Sequence, residues 1–193
     1  MTESEKNKLG GKIRQLREDR QLSLEELAEQ SEIAVELLIK LEAGDLVPSL
    51  TPLIQITRAL GVRLGTILDD APLQGPIVTR ATEKKEVIRF SGKVADPQKT
   101  TLYFSSLAEG KTDRHIEPFL IDVQLPPTEE LPLSSHEGEE FIYVMEGKIA
   151  VQYGQDRYEL TAGDCIYYDS VVPHDLHAVD AGAKILAVIY APH

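Results

Sequence analysis

The hydrophobic pattern of this 193-residue chain changes in character along its length. Apolar residues recur at helical spacing up to about residue 70, whereas short apolar runs separated by turn residues follow from about residue 100. Strands at such spacing, with no helical segment between them, are typical of a sandwich or a small barrel. Residues 71–98 have the composition of a linker with one possible strand. The sequence therefore predicts a helical domain over 1–70 and an all-β domain over 99–193.

The first of these domains is predicted to contain five short helices. Leu9, Ile13 and Leu16 form the apolar stripe of the first helix. Ser23 and Glu26 have the spacing of a capping box at the start of the second. The remaining helices are expected over about 34–43, 50–60 and 64–68.

Several motifs of the helical domain resemble, in order, those of the phage-repressor-like helix-turn-helix family. The resemblance covers about residues 8–70 and implies a five-helix fold whose third helix enters the DNA major groove. It also implies base contacts at about Leu24, Val35, Glu36 and Lys40. A head that binds DNA would use Arg14, Arg17, Arg20 and Lys40 for backbone contacts. The motifs are Ile13–Arg17, Leu22–Ala28, Leu41–Gly44, Pro48–Ser49 and Ala59–Val62.

The charge of the chain leaves two interpretations of the helical domain open. The formal net charge is −12, and residues 1–70 contain 9 Lys and Arg against 13 Asp and Glu. Such acidity opposes nonspecific binding to nucleic acid, which depends on neutralised phosphates. Leu37 and Ile39 add apolar surface where polar side chains that contact DNA bases are usual. The domain is therefore either a working operator-binding head or a head whose surface packs against protein.

A histidine and a carboxylate four residues apart, His136 and Glu140, stand at the entry to a predicted strand of the second domain. A second imidazole follows at Pro173-His174. Two neutral imidazoles and one carboxylate form the facial set that suits ferrous iron or a similar divalent ion. The sequence thus predicts that His136, Glu140 and His174 converge on iron, zinc or manganese.

The same motifs resemble those of the cupin superfamily over about residues 115–190. The resemblance implies a double-stranded β-barrel. His136, Glu140 and Gly147 occupy positions of the first cupin motif, and Ser134 stands where that motif has its first histidine. We expect Ser134, Tyr143 and Tyr168 to line the pocket beside the ion.

Three functions are compatible with this combination of domains. The favoured one is a DNA-binding transcriptional regulator, most simply a homodimer, whose barrel senses a small-molecule effector. The same domain order occurs in the hydroxypropylphosphonate epoxidases, so a mononuclear non-haem iron oxygenase with a head that does not read DNA is the alternative. At three positions where that enzyme family has a lysine, a tyrosine and an asparagine, this chain has about Gln21, Phe104 and Leu133 instead. The loss of these polar groups argues against the same substrate. The third option is a metal-free ligand-binding or scaffold protein.

Two further expectations concern location and redox chemistry. No apolar run approaches the ~20 residues of a membrane span, and the first residues lack the order of a signal peptide. We therefore expect a cytoplasmic protein that does not insert into membranes. The single cysteine, Cys165, is expected to be a small buried core residue.

Overall fold

The computed structural model describes residues 3–46, 48–69, 75–82, 86–90, 101–111, 114–126 and 133–192. Within them, five helices precede nine strands, which confirms the predicted fold class. The apolar residues on the inner faces of the helices are mostly buried in a shared core, which also includes Leu46 after the third helix. The helices are α1 Glu3–Asp19, α2 Leu24–Ser31, α3 Val35–Ala43, α4 Leu50–Ala59 and α5 Leu64–Leu68.

The start of α2 is fixed by the expected capping box. The backbone N–H of Glu26 donates to the Ser23 hydroxyl at 3.0 Å, and the backbone N–H of Ser23 donates to the Glu26 carboxylate at 2.8 Å. Two N–H groups that the helix itself leaves without partners are thereby satisfied. The capping box therefore sets the first residue of α2.

Helices α1 and α3 approach closely at Gly10. A Cβ atom added there would lie 2.3 Å from the carbonyl oxygen of Leu41, so only glycine fits. On the same two helices, Arg17 donates from Nε and Nη2 to the buried carboxylate of Glu42, at 2.7 and 2.8 Å. The bidentate pair holds α1 against the end of α3.

The strands form two antiparallel sheets. The six-stranded sheet has the order β1-β2-β3-β9-β4-β7, and the three-stranded sheet has the order β6-β5-β8. The strands are β1 Glu86–Phe90, β2 Leu102–Ser106, β3 Ile116–Val123, β4 Glu139–Glu146, β5 Lys148–Tyr153, β6 Asp156–Thr161, β7 Cys165–Asp169, β8 His174–Ala178 and β9 Ala183–Tyr190.

Alternation along the strands builds the barrel interior. On β3 and β9 every second residue is buried, as at Ile121, Ile185 and Ile189. Strand β8 was not predicted, because its sequence lacks this apolar alternation. Its position matters, since it carries His174 at its first residue.

The prediction for Cys165 is wrong, because the structure leaves this residue exposed. Strand β7 lies at the edge of the six-stranded sheet. Its inward positions are those of Ile166 and Tyr168, so Cys165 and Tyr167 project outward.

The helical domain and the barrel are joined by ion pairs. Arg114, just before β3, contacts both Asp69 at the end of α5 and Glu117 on β3. Arg58 of α4 reaches Glu137 in the barrel at 2.8 Å. Among the residues described, no helix has the length and apolar character needed to cross a bilayer.

Candidate metal centre

His136, Glu140 and His174 converge inside the barrel. One ligand atom from each lies within 4.8 Å of the others, and all three residues are buried. The Nε2 atoms of His136 and His174 lie 2.9 and 3.4 Å from the same oxygen, Oε1 of Glu140. Residues from two separate motifs therefore form one compact set of donors.

Gly138 explains how two donors only four residues apart can face the same interior. Its φ of +113° belongs to a region that side chains rarely adopt. A Cβ atom there would lie 1.9 Å from the carbonyl oxygen of Tyr190, so the chain passes against the end of β9. The turn at Gly138 brings His136 back over the start of β4, where Glu140 points inward.

His174 is held beside His136 by backbone pairing across the barrel mouth. Ser134 and His174 exchange two backbone hydrogen bonds, of 2.9 and 2.8 Å, as an isolated antiparallel bridge. The backbone N–H of His136 donates to the carbonyl oxygen of Ser170 at 3.0 Å. The segment before β4 is thus anchored to both ends of the loop that carries Pro173.

The orientation of the imidazoles fits a metal ion. Nδ1 of His136 lies 3.0 Å from the carbonyl oxygen of Glu137, and Nδ1 of His174 lies 2.8 Å from that of Val172. With Nδ1 donating to a carbonyl, each ring directs its Nε2 atom toward Glu140, where a metal ion could replace the Nε2 proton. Such outer contacts are typical of histidine ligands, so the donor set suits a divalent ion.

Glu140 has two further hydrogen-bond partners. The Tyr168 hydroxyl donates to Oε2 at 2.9 Å, and the Ser170 hydroxyl donates to Oε1 at 3.3 Å. The role of Ser170 was missed by sequence reasoning, since a serine in a turn carries no distinguishing signal. Both residues hold the Glu140 carboxylate in its orientation.

The charge states of the donors follow from these contacts. Burial alone would raise the pKa of Glu140, but the hydrogen bonds from His136 and His174 outweigh it and hold that pKa far below its usual range. Burial and the neighbouring charge of Glu140 raise the pKa of Tyr168, which keeps its hydroxyl as a donor. Burial would lower the pKa of His174, but the hydrogen bond to Glu140 raises it. A divalent ion at these donors would compete with protonation of His174.

A cavity of about 140 Å³ opens beside the three donors. Ser134 and Tyr168, two of the three residues expected at a pocket, are among those that line it. Tyr143 does not, because it lies three residues beyond Glu140 on β4 and projects from the outer face with 40% of its surface exposed. Phe104 lines the cavity with a buried apolar ring, whereas Gln21 is exposed at the end of α1.

The first turn of α4 forms part of the same cavity wall. Ser49, Leu50 and Thr51 of the helical domain line the space together with barrel residues. Ser49 is the N-cap residue of α4, but its side chain makes no capping hydrogen bond. A molecule bound in the cavity would therefore contact both domains.

The arginines predicted to contact DNA from α1 differ in exposure. Arg17 is nearly buried and bound to Glu42, so its charge is used within the domain. The side chain of Arg14 is 52% exposed and makes a longer contact with Glu42, of 3.3 Å. Arg20 is exposed and donates to the carbonyl oxygen of Leu16 at 3.1 Å. Arg14 and Arg20 remain available at the surface.

The positions predicted on α3 present a mixed surface. Glu36 and Lys40 are exposed, whereas Val35 packs partly against the core of the helical domain. Ile39 is 47% exposed, and Leu37 is partly buried against the core. The exposed side of this helix thus carries one cation, one anion and one apolar residue at these positions.

Two family models match separate parts of the chain. Residues 13–67 match the family model described as Helix-turn-helix, and residues 121–190 match the one described as Cupin domain. No curated protein sequence matches the chain.

Two kinds of solved structure resemble the whole chain. An HTH_3 family transcriptional regulator from Vibrio cholerae is 21% identical, with a TM-score of 0.72 and coverage of 100% of both chains. Fe(II) HppE is 23% identical, with a TM-score of 0.50 over 96% of this chain and 99% of that one. Fe(II) HppE in complex with substrate is 22% identical, with a TM-score of 0.51 over 95% and 98%. At these identities the likeness establishes the fold.

Proposed function

We propose that this chain, which joins a helix-turn-helix domain to a cupin domain, is a DNA-binding transcriptional regulator that senses a small molecule. One observation carries the proposal: α4 of the helix-turn-helix domain lines the cavity that holds the three metal donors. This contact supports a role in which the contents of the cavity influence the position of the helical domain.

A ligand in the cavity acts on the head through α4. Ser49, Leu50 and Thr51 contact the cavity at one end of this helix, and Arg58 near the other end binds Glu137, the neighbour of His136. Helix α4 also packs against α2, the first helix of the helix-turn-helix pair. A ligand that binds one arrangement of head and barrel more tightly than the other changes the DNA affinity. DNA changes the ligand affinity by the same coupling free energy.

The DNA surface in this proposal consists of Lys40 on α3 with Arg14 and Arg20 on α1. Glu36 can accept a hydrogen bond from a cytosine amino group but repels phosphate. Because the chain is acidic, affinity depends on a few specific contacts rather than on bulk charge. We expect a homodimer, since such heads read paired half-sites.

The metal in this proposal is iron, zinc or manganese, held by His136, Glu140 and His174. Bound there, the ion supplies open coordination positions for an oxygen or nitrogen atom of the effector. Tyr168 and Ser170 hold the carboxylate in place, and the backbone carbonyls of Glu137 and Val172 hold the imidazoles.

The proposal is tested by fluorescence anisotropy on DNA from upstream of the gene that encodes the chain. We expect salt-sensitive binding that Lys40→Glu weakens by about tenfold or more. Arg157→Glu is the matched control, because it reverses an exposed charge on β6 of the barrel. Absence of binding by apo and metal-loaded protein at low salt would contradict DNA binding.

Coupling between the two domains is tested with the same DNA. Loading with iron, zinc or manganese should change the DNA affinity of the wild type by about 5-fold or more. His174→Ala should abolish that change but leave the DNA affinity of the apo protein intact. Equal responses of wild type and variant to the metal would refute sensing at this site.

The donor set also favours a second candidate, a mononuclear non-haem iron oxygenase. Two histidines and one carboxylate with open positions are the facial triad of such enzymes. Oxygen consumption by Fe(II)-loaded protein on addition of a substrate, lost in Glu140→Ala, would support this function over the regulator.

A further inference from the structure

The walls of the cavity differ sharply in chemistry. His136, Glu140 and His174 form one side, whereas residues such as Phe104, Ile121 and Ile185 form an apolar side. The volume, about 140 Å³, is close to the ~150 Å³ of an apolar protein cavity that accommodates benzene. The space is therefore small, and apolar side chains make up much of its lining.

Charge restricts the contents further. The charged lining residues are Glu140 and Asp175, both acidic, and none of the lining residues within the described ranges is lysine or arginine. The carboxylate of Asp175 is held by Nδ1 of His177 at 2.8 Å. Among these described lining residues, a carboxylate or phosphonate away from the ion would meet apolar side chains and hydroxyls but no cationic partner, which is unfavourable for a desolvated anion.

We infer that the cavity takes a small molecule with one metal-binding atom and an uncharged, apolar body of about the size of benzene. The inference rests on the proposed function, since it requires the ion at His136, Glu140 and His174. It excludes ligands whose second polar end carries a negative charge. The helical domain contributes the apolar side chain of Leu50 and the hydroxyl-bearing residues Ser49 and Thr51 to the lining.

Visible spectroscopy of the Co(II)-substituted full-length protein tests the inference, because a ligand atom on the ion changes the cobalt spectrum. The probes are 4-methylpyrazole, which is neutral, and pyrazole-4-carboxylate, which presents the same ring with an anionic end. We expect the neutral probe to bind at least about tenfold more tightly. Equal or tighter binding of the carboxylate by the wild type would overturn the inference.

A charge placed on the cavity wall should reverse the preference. Leu50→Lys puts an ammonium group beside the apolar body, and Thr51→Lys provides a second route if the first variant is unstable. Either should favour pyrazole-4-carboxylate, whereas Ile39→Lys, on exposed α3, should retain the wild-type order. An unchanged order in stably folded Leu50→Lys and Thr51→Lys proteins would overturn the inference.

Two failures remain distinguishable in this experiment. Absence of a cobalt spectrum that depends on His174 would overturn the metal site, and with it both the inference and sensing through an ion. A normal cobalt spectrum with the carboxylate preferred would overturn the ligand class alone.

Discussion

Arg114 forms a buried ion pair with Asp69 and thereby joins the β-barrel to the helical domain. The two side chains are 4% and 1% exposed, and Glu117 on β3 binds the same guanidinium. Arg114 also donates to the carbonyl oxygens of Ala108 and Lys111, at 3.0 and 2.9 Å. One cation therefore compensates two buried carboxylates at the domain boundary.

Replacing Arg114 with methionine should destabilise the protein by about 3–5 kcal/mol, because Asp69 and Glu117 would remain buried without a cation. The measurement is equilibrium unfolding in urea. Lys184→Met is the control, since Lys184 pairs with Asp122 at the surface, at 3.4 Å, and its loss should change stability by less than about 1 kcal/mol. Similar effects of the two substitutions would contradict a structural role for the buried pair.

Titration of Glu117 should make the free energy of unfolding depend on pH. Burial raises the pKa of Glu117 from its usual 4.5 to about 7, although Arg114 opposes the rise. Asp69 adds to the rise, and the backbone N–H of Gly65 opposes it. Between these pH values the folded protein binds more protons than the unfolded chain, so its stability falls as the pH increases.

The Glu117→Gln variant isolates this effect. The wild type should lose up to about 3 kcal/mol relative to the variant as the pH rises from 4.5 to 7. Urea unfolding of both proteins at several pH values gives the difference. A difference that is constant with pH would show that Glu117 titrates alike in the folded and unfolded states.

The convergence of His136, Glu140 and His174 could be expected from the sequence because their chemistry and local spacing single them out. His136 and Glu140 are four residues apart, and His174 follows a proline in a recognisable motif. The partners of Glu140 are different: Tyr168 and Ser170 lie 28 and 30 residues away in sequence and meet it only through the pairing of β4 with β7.

Errors in the prediction have a common physical cause. Cys165 and Tyr143 lie in strands that were correctly expected, but which face of a strand is buried depends on its neighbours in the sheet. The contact between Asp69 and Arg114 spans 45 residues and joins two domains, so no local pattern encodes it.

Removing the hydroxyl of Tyr168 should weaken metal binding. Tyr168→Phe leaves Glu140 without one hydrogen bond, and loss of such an outer contact typically lowers metal affinity by about 10–100-fold. Competition with a chromophoric chelator for Zn(II) or Co(II) measures the change. Tyr167→Phe is the matched control, because the adjacent hydroxyl binds Glu139 on the outer face. Equal losses of affinity in the two variants would contradict the orienting role of Tyr168.

Alanine at Gly138 should damage both the fold and the metal site. The substitution introduces strain at a φ of +113° and places Cβ 1.9 Å from the carbonyl oxygen of Tyr190, so β4 must move away from β9. Gly163→Ala is the matched control, since Gly163 has a φ of +98° and an added Cβ would meet nothing within 4 Å. The control should lose about 1–3 kcal/mol from backbone strain alone, and Gly138→Ala should lose more.

Because His136 and Glu140 flank the displaced turn, only Gly138→Ala should also reduce metal affinity. Comparable unfolding midpoints and unchanged metal affinity in both variants would show that the turn tolerates a side chain.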